Sequence, residues 1–306
     1  MSAKTYLLSF FIFLTLTACS DTVKIVGDKE PDGLNYALRF YGNGSAAPDK
    51  DRVKIQVDDP NNSEAGPAND VGAENFTIEF WMKARWQENT APTTSCGSGN
   101  GWINGNMILD RDRYSQSRAY GISLANGRIV FGVRGTNLEE YSLCGSTFVL
   151  DNQWHHILVQ RRRSDGMMWI FIDGQLESQY EGPLGDISYP DDGVPGNHCN
   201  GACINSDPYL VIGAEKHDVG PEYPAYSGWI DELRISNALR FNSTFNRPST
   251  ELTVDNYTVG MFRFNEGTGT TLSNESKIDS TKGVIHYGGS PAGPKWDLST
   301  IPISNE

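Results

Sequence analysis

Short segments in which apolar and polar residues alternate recur along this chain, and they constrain its fold more than any other feature. In residues 76–83 (FTIEFWMK), every second side chain is apolar and would share one face of a half-buried strand. Residues 120–124 and 128–133 flank Asn126-Gly127, a dipeptide that favours a two-residue hairpin turn. Similar segments separated by loops rich in Gly, Asn and Asp occur at 154–161, 167–172, 209–212, 229–235, 259–264 and 284–287. The sequence therefore predicts an all-β protein in which two antiparallel sheets pack face to face, with one helical turn near residues 237–240.

The N-terminus predicts export. Lys4 precedes an apolar run at residues 6–16, about half the ~20 residues that cross a bilayer, which indicates a signal peptide. The following Leu16-Thr17-Ala18-Cys19 resembles the bacterial lipobox, which implies that Cys19 carries the lipid anchor; an ordinary cleaved secretory signal is the alternative. We expect a lipoprotein signal peptide at 1–19, a tether at 20–34 and one domain at 35–306. Because Ser20 rather than Asp follows Cys19, the resemblance implies a cell-envelope lipoprotein of the outer membrane.

The net charge limits the partners. The sequence has 38 acidic and 25 basic residues, a net charge of −13, and removing residues 1–19 takes away one further Lys. Such a surface repels phosphate backbones and anionic headgroups. We therefore expect no nucleic-acid partner, and membrane contact through the lipid anchor alone.

The cysteines other than Cys19 are even in number, as expected for disulfides in an oxidising compartment. Cys96, Cys144, Cys199 and Cys203 allow three pairings, of which we favour Cys96–Cys144 and Cys199–Cys203, since the second pair lies within one turn-rich loop. A metal site is the alternative for the close pair, although no second pair has matching spacing.

Six segments, in this order, resemble the LamG-like jelly-roll domain of the concanavalin A-like lectin/glucanase superfamily. They are YALRFYG (36–42), FTIEFW (76–81), WHHI (154–157), WIFIDG (169–174), LVIG (210–213) and GWIDELRISNALR (228–240). The resemblance implies a concanavalin A-like jelly-roll sandwich. Residues 262–269 (FRFNEGTG) are similar to a segment that usually opens such a domain, so either the closing strands are permuted or a second copy is vestigial. Because this fold hosts lectins, adhesion modules and glycan hydrolases alike, function has to be argued from a site.

The sequence offers no catalytic constellation. Hydrolases of this fold place carboxylates at alternate positions of one strand, so that acid and nucleophile lie about 5–5.5 Å apart. Glu79 stands alone in its strand, the neighbours Asp231 and Glu232 point to opposite faces, and the alternating pair Asp110 and Asp112 lacks a third carboxylate. We therefore predict a module for carbohydrate or protein binding rather than an enzyme. A glycan hydrolase or lyase, or a structural subunit of an envelope assembly, is the alternative.

The resemblance also implies a structural calcium ion, with Asp231 as a ligand. Tyr41 stands where an Asp is expected in the first strand, so Asn43 or Asp49 would have to compensate, since calcium takes six to eight oxygen ligands. The alternative role for Asp231 is to cap a turn through backbone N–H groups. His155 and His156 are neighbours on a strand, and we interpret them as structural.

Aromatic residues in polar loops are the candidates for ligand contact, because they bring large contact area at low entropic cost. The predicted contacts are Trp102, Tyr114, Tyr223 and Tyr226. Trp169 and Phe171 share a strand face that would stack against sugar rings if it is open, or form a second small core if loops cover it. We expect a glycan or protein ligand at the cell envelope.

Overall fold

The computed structural model describes residues 34–43, 51–59, 61–113, 116–193, 208–217 and 219–303. Two short 3₁₀ helices, Trp86–Glu88 and Gly101–Asn104, accompany the strands, and no helix within these ranges is long and apolar enough to cross a membrane. The strands are β1 (Tyr36–Tyr41), β2 (Arg52–Gln56), β3 (Phe76–Arg85), β4 (Gly97–Ser98), β5 (Asn106–Arg111), β6 (Ala119–Ala125), β7 (Arg128–Arg134), β8 (Glu140–Cys144), β9 (Asp151–Arg161), β10 (Met167–Ile172), β11 (Gln175–Glu181), β12 (Tyr209–Ile212), β13 (Ser227–Ser236), β14 (Thr258–Phe262), β15 (Thr271–Leu272), β16 (Gly283–His286), β17 (Gly288–Gly289), β18 (Ala292–Gly293) and β19 (Lys295–Leu298).

The strands form two large antiparallel sheets. The eight-stranded sheet has the order β11-β10-β9-β3-β13-β1-β19, with β14 also paired to β13. The nine-stranded sheet has the order β15-β16-β2-β12-β5-β6-β7-β8-β4, and β17 and β18 form a separate ribbon. This confirms the predicted sandwich of two antiparallel sheets.

The core lies between the sheets and follows the alternation of the sequence. Phe76, Ile78, Phe80 and Met82 of β3 all enter it, where they meet residues of the other sheet such as Phe131. Burying a side chain of this size stabilises the fold by about 1.5–3 kcal/mol. The faces of the strands that point away from the core are therefore the ones left for function.

The hairpin between β6 and β7 forms as predicted. Asn126 (φ 48°) and Gly127 (φ 72°) occupy its turn, in the left-handed conformation that a two-residue turn of this type requires. The helical turn expected at residues 237–240 is absent. The backbone N–H groups of Arg240 and Phe241 donate to the side-chain oxygen of Gln160 instead of to preceding carbonyls, so no helical turn forms.

The C-terminal part of the chain completes the same sandwich. β14 pairs with the second half of β13, β16 pairs with β2 in the other sheet, and β19 pairs with β1. A bulge centred on Glu232 (φ 51°) lets β13 pair with β1 before it and with β14 after it. The tail therefore supplies closing strands rather than a second copy of the domain.

One of the two favoured disulfides lies within the described residues and is present. Cys96 and Cys144 are bonded with their Cα atoms 5.8 Å apart, next to the paired strands β4 and β8. Cys199 and Cys203 lie outside the described residues, as do the predicted signal peptide, Cys19 and most of the tether.

Candidate functional site

Five residues from five adjacent strands form a single row across the outer face of the eight-stranded sheet. Adjacent strands are about 4.8 Å apart, so the row extends over roughly 19 Å. We call it the outer row; in order of strands it consists of Trp154 (β9), Lys83 (β3), Trp229 (β13), Arg39 (β1) and Lys295 (β19), each opposite the next in the register.

Strand alternation places these side chains outside the core. Met82 and Ala84 point inward, so Lys83 between them points outward. By the same reasoning, Leu38 and Phe40 enter the core and put Arg39 on the outer face. The alternation of β3 and β1 therefore places Lys83 and Arg39 on the outer face.

The aromatic rings of the outer row make cation–π contacts with neighbouring basic side chains. The Trp229 ring lies 4.2 Å from the Arg39 guanidinium carbon and 4.5 Å from the Lys83 ammonium, and the Arg85 guanidinium is 5.2 Å away. The same Lys83 ammonium is 5.1 Å from the Trp154 ring. Each such cation–π contact contributes about 0.5–1 kcal/mol, and more where it is desolvated. Because both tryptophans are only 7% exposed and Arg39 is 5% exposed, the half-buried Lys83 and the exposed Lys295 are the parts of the row that a ligand meets first.

Hydrogen bonds fix the rings of the outer row in place. The Trp229 Nε1 donates to Asp297 Oδ2 at 2.8 Å, and the Trp154 Nε1 donates to Thr300 Oγ1 at 3.0 Å. Ile301 packs against the two rings and covers one side of them. The row is therefore preorganised rather than assembled on binding.

The outer row carries an excess of positive charge. Arg39 donates two hydrogen bonds to Glu88, at 3.0 and 2.9 Å, and is thereby paired. Among the described residues, no carboxylate oxygen lies within 4.0 Å of the ammonium group of Lys83 or Lys295. Partial burial lowers the pKa of Lys83; Asp297 opposes this effect, whereas the nearby guanidinium groups reinforce it. In a chain of net charge −13, this is a local cationic site.

Trp102 does not lie where a ligand could contact it, which corrects the prediction. Gly121 and Gly132 are paired across the β6–β7 hairpin, and the indole of Trp102 fills the slot that they leave on the outer face of the nine-stranded sheet. The backbone N–H of Trp102 donates to Ser142 Oγ at 3.0 Å, and the side chain is completely buried. Trp102 therefore has a packing role.

Tyr226 is also buried, contrary to prediction. Its ring lies 6.1 Å from that of Phe40 in the core, and its hydroxyl donates to the Trp229 carbonyl oxygen at 3.1 Å. Tyr223 is half-buried in the preceding loop, and Tyr114 lies outside the described residues. Trp102 and Tyr226 are therefore not available for contact with a ligand, whereas the roles of Tyr223 and Tyr114 stay predictions.

Trp169 belongs to a second small core, the alternative that the sequence left open. It packs with Leu158 and Phe171 on the outer face, beneath the loop that carries Phe241 and Phe245. Its Nε1 donates to Gln179 Oε1 at 2.8 Å, and only 7% of the residue is exposed. Sugar rings cannot stack on it while this loop is in place.

Asp231 and Asn43, two of the three residues expected to hold calcium, lie apart in the structure. Asp231 accepts hydrogen bonds from the Glu232 backbone N–H at 2.8 Å and from the Ser299 hydroxyl, so it caps the local backbone. Asn43 lies beyond Tyr41, whose partner Ser227 is four residues, or roughly 13 Å, from Asp231 along β13. Asp49 lies outside the described residues. Within the ranges that the structure describes, no group of three or more His, Cys, Asp or Glu residues could hold a metal ion.

The carboxylates considered for catalysis have partners within the fold. Asp112 accepts from the Arg134 guanidinium at 3.2 Å, and Asp110 is buried, accepting from the Lys216 backbone N–H at 3.0 Å. Desolvation by burial raises the pKa of Asp110 to about 7, with the charge of Glu215 adding to the effect. Glu232 accepts from Arg263 at 2.6 Å. These carboxylates therefore take part in hydrogen bonds and ion pairs within the fold.

The outer row was not predicted from the sequence, because ligand contacts were expected in loops and on the strand face of Trp169. Arg39, Lys83 and Trp229 all lie in segments whose alternation is visible, and each falls on the face opposite to the core residues. Searching the outward positions of predicted strands for aromatic and basic residues would have found them. That they are neighbours depends on strand order, which alternation does not give.

Comparisons with known proteins show likeness to receptor-binding proteins in sequence. Residues 50–188, less than half of the chain, match the family model described as Clostridium neurotoxin, N-terminal receptor binding. The chain is 23% identical over 235 residues to the non-toxic nonhemagglutinin of Paraclostridium bifermentans. That alignment covers 74% of this chain and 18% of the relative, so the chain spans only a small part of that protein.

Comparisons of structure show likeness to jelly-roll proteins. A candidate carbohydrate-binding protein from Bacteroides ovatus ATCC 8483 aligns with a TM-score of 0.53 and 12% identity, over 89% of this chain and 62% of that one. Domains LG4-5 of the mouse laminin α1 chain align with a TM-score of 0.41 and 10% identity, over 72% of this chain and 48% of that one. The two antiparallel sheets and the first of these likenesses identify the fold as a concanavalin A-like jelly-roll sandwich.

Proposed function

We propose that this protein is a carbohydrate-binding module of the cell envelope, and that the outer row is its binding face. The observation that carries the proposal is the row itself. Five outward side chains on five neighbouring strands form one continuous strip, fixed by hydrogen bonds and cation–π contacts before any ligand arrives. A preorganised face loses little entropy on binding.

The comparisons support binding as the general activity. One related family is described as receptor binding, and one structural relative as a candidate carbohydrate-binding protein. Proteins of this fold differ in function, so these likenesses support a class of activity and the row supplies a location for it. The partnered carboxylates at Asp110, Asp112 and Glu232 favour a binding module over a glycan hydrolase or lyase.

We further propose that the module is held at the outer membrane by a lipid on Cys19. This part of the proposal rests on Leu16-Thr17-Ala18-Cys19 after a short apolar run. Metabolic labelling with a radioactive fatty acid tests it, because labelling would be lost in Cys19→Ser and retained in the wild type. An unlabelled wild-type protein would contradict a lipid anchor.

A glycan array tests the binding face. The chain from residue 20 to residue 306 contains every described strand and is the protein to use. We expect wild-type protein to bind a subset of glycans, and the double variant Lys83→Ala, Lys295→Ala to lose about tenfold or more in affinity, which corresponds to about 1.4 kcal/mol. The matched control is Lys277→Ala, Lys282→Ala, two exposed lysines of the tail, which leaves binding unchanged.

Two results would contradict the proposal. A folded wild-type protein that binds no glycan on the array would argue against carbohydrate binding. Equal affinity of the wild type and the Lys83, Lys295 double variant would argue that the ligand binds another face. A cooperative thermal transition, measured for each variant, excludes unfolding as the cause of lost binding.

A further inference from the structure

We infer that the outer row selects acidic glycans, whose carboxylate or sulfate groups contact Lys83 and Lys295. This inference rests on the proposed function and adds the chemical class of the ligand. It rests on two observations. The aromatic rings of the row contact cations, and the ammonium groups of Lys83 and Lys295 have no salt-bridge partner among the described residues.

The first observation is that the aromatic faces are already occupied. Arg39, Lys83 and Arg85 all lie within 5.2 Å of the Trp229 ring, and Lys83 also lies over Trp154. A neutral sugar that stacks on an aromatic ring needs an open ring face, and this ring is 7% exposed. The rings therefore serve to position cations, and a ligand that approaches the row meets positive charge.

The second observation concerns charge pairing within the row. Arg39 is bound by Glu88 and also donates to Ser227 Oγ at 3.2 Å, while Arg85 donates to Asn152 Oδ1 at 3.0 Å. The ammonium groups of Lys83 and Lys295 lie over aromatic rings, at 4.5 Å from Trp229 and 5.5 Å from Tyr41 respectively, with no salt-bridge partner among the described residues. These two groups are free to receive an anion.

Lys83 is partly buried beside two guanidinium groups, and the Asp297 carboxylate offsets the resulting cost of its charge only in part. The side chain is half-buried, and this desolvation lowers its pKa; the Asp297 carboxylate raises the pKa, and the guanidinium groups of Arg85 and Arg39 lower it again. A bound carboxylate or sulfate would supply the opposite charge in a partly desolvated position, where an ion pair is stronger than at an open surface. Ligand binding is therefore expected to favour the charged form of Lys83.

The spacing of the two lysines points to an oligosaccharide. Lys83 lies on β3 and Lys295 on β19, three strand positions apart, which is about 14 Å. One sugar cannot reach both, whereas a chain with acidic groups on several sugars can. The protein has a net charge of −13, so the row is a local exception to the net repulsion that an acidic polymer meets.

Isothermal titration calorimetry with charge-matched probes tests the inference. One probe pair is oligogalacturonate and its neutral methyl ester; a second is a heparin-derived oligosaccharide and its desulfated form. We expect at least one acidic probe to bind about tenfold or more tighter than its neutral counterpart, with an affinity that falls as salt is raised. The variant Lys83→Gln, Lys295→Gln is expected to lose this preference, and Lys83→Arg, Lys295→Arg to keep it.

The outcomes separate the inference from the proposed function. Equal binding of acidic and neutral probes, still dependent on the outer row, would overturn the acidic preference and leave carbohydrate binding intact. If the protein bound neutral glycans on the array but no acidic probe, the acidic preference would likewise be overturned and carbohydrate binding would remain. Failure of every glycan would reject both proposals. Binding of a DNA oligonucleotide with the affinity of the acidic probes would show general attraction of polyanions and overturn selection of a glycan.

Discussion

At the scale of single residues, Glu79, Arg234 and His156 form a buried polar triad on the outer face of the eight-stranded sheet. Glu79 of β3 lies between two strands and accepts from Arg234 of β13 at 2.8 and 2.6 Å, and its carboxylate is 3.1 Å from His156 Nε2 of β9. Burial alone would raise the pKa of Glu79, but the His156 hydrogen bond and the Arg234 charge outweigh it and hold this pKa below its usual value.

The triad makes stability depend on pH in a defined direction. Because the pKa of Glu79 is lower in the folded than in the unfolded protein, its contribution is present above the ordinary value of 4.5 and is lost as pH falls through the folded value. Glu79→Gln is expected to lower the free energy of unfolding by about 3–5 kcal/mol at neutral pH, since it leaves a buried cation with one partner fewer.

Urea denaturation of both proteins across a pH series measures this effect. The difference between wild type and Glu79→Gln is expected to shrink as pH falls below about 4.5. The control is Glu74→Gln, whose exposed carboxylate is 3.5 Å from Arg163 and which is expected to change stability by less than about 0.5 kcal/mol. A difference that stays constant with pH would contradict the role of the Glu79 charge.

The sequence alone could not give this triad. It indicated that Glu79 stands alone in its strand, but it named no partner for this carboxylate. The partners of Glu79 are 77 and 155 residues away in sequence. They meet only because β9, β3 and β13 are neighbours, which depends on the order of strands in the sheet.

At the scale of elements, the β6–β7 hairpin shows both the reach and the limit of sequence reasoning. The Asn126-Gly127 turn was predictable and fixes the register, which places Gly121 opposite Gly132. A glycine pair leaves a slot on the sheet surface, and this too follows from the sequence. That the slot is filled by Trp102 could not be foreseen, because the path of the preceding loop is set by packing and by the Ser142 hydrogen bond.

Replacing one glycine of this pair tests the packing role of Trp102. A Cβ atom at Gly132 would lie 1.9 Å from the Trp102 ring, so Gly132→Ala must displace the indole. We expect a loss of about 1–3 kcal/mol in the free energy of unfolding, as is usual for overpacking, and a red shift of tryptophan fluorescence.

The control for this substitution is Gly145→Ala, where the nearest heavy atom would be 3.4 Å from the new Cβ. It is expected to leave the fluorescence spectrum unchanged. If Gly132→Ala and Gly145→Ala had the same free energy of unfolding and the same fluorescence spectrum, the Trp102 indole would have to lie outside the slot between Gly121 and Gly132.

At the scale of the whole molecule, the sequence predicted the class of fold but not how the chain closes it. Alternation gave the strands, and their number indicated two sheets. It did not show that β19, near the end of the chain, pairs with β1 at the beginning, or that β13 divides its pairing between β1 and β14. Such pairings are set by which exposed edges remain when the other strands have assembled, so they depend on the complete sandwich.

This closure predicts that residues after 257 are required for folding. They supply β14, β16 and β19 to both sheets, and they place Phe262, Phe264, Leu272 and Ile285 in the common core. Each of these burials contributes about 1.5–3 kcal/mol, so their joint loss is comparable with the 5–15 kcal/mol by which a domain is usually stable. A chain of residues 20–257 is expected to bind a hydrophobic dye and to unfold without a cooperative transition, as calorimetry would measure.

The control is a chain of residues 20–303, which retains every described strand and is expected to unfold like the full-length protein. If the shorter chain unfolded cooperatively near the same temperature, the tail would be a separable addition and the pairing of both sheets with it would be dispensable.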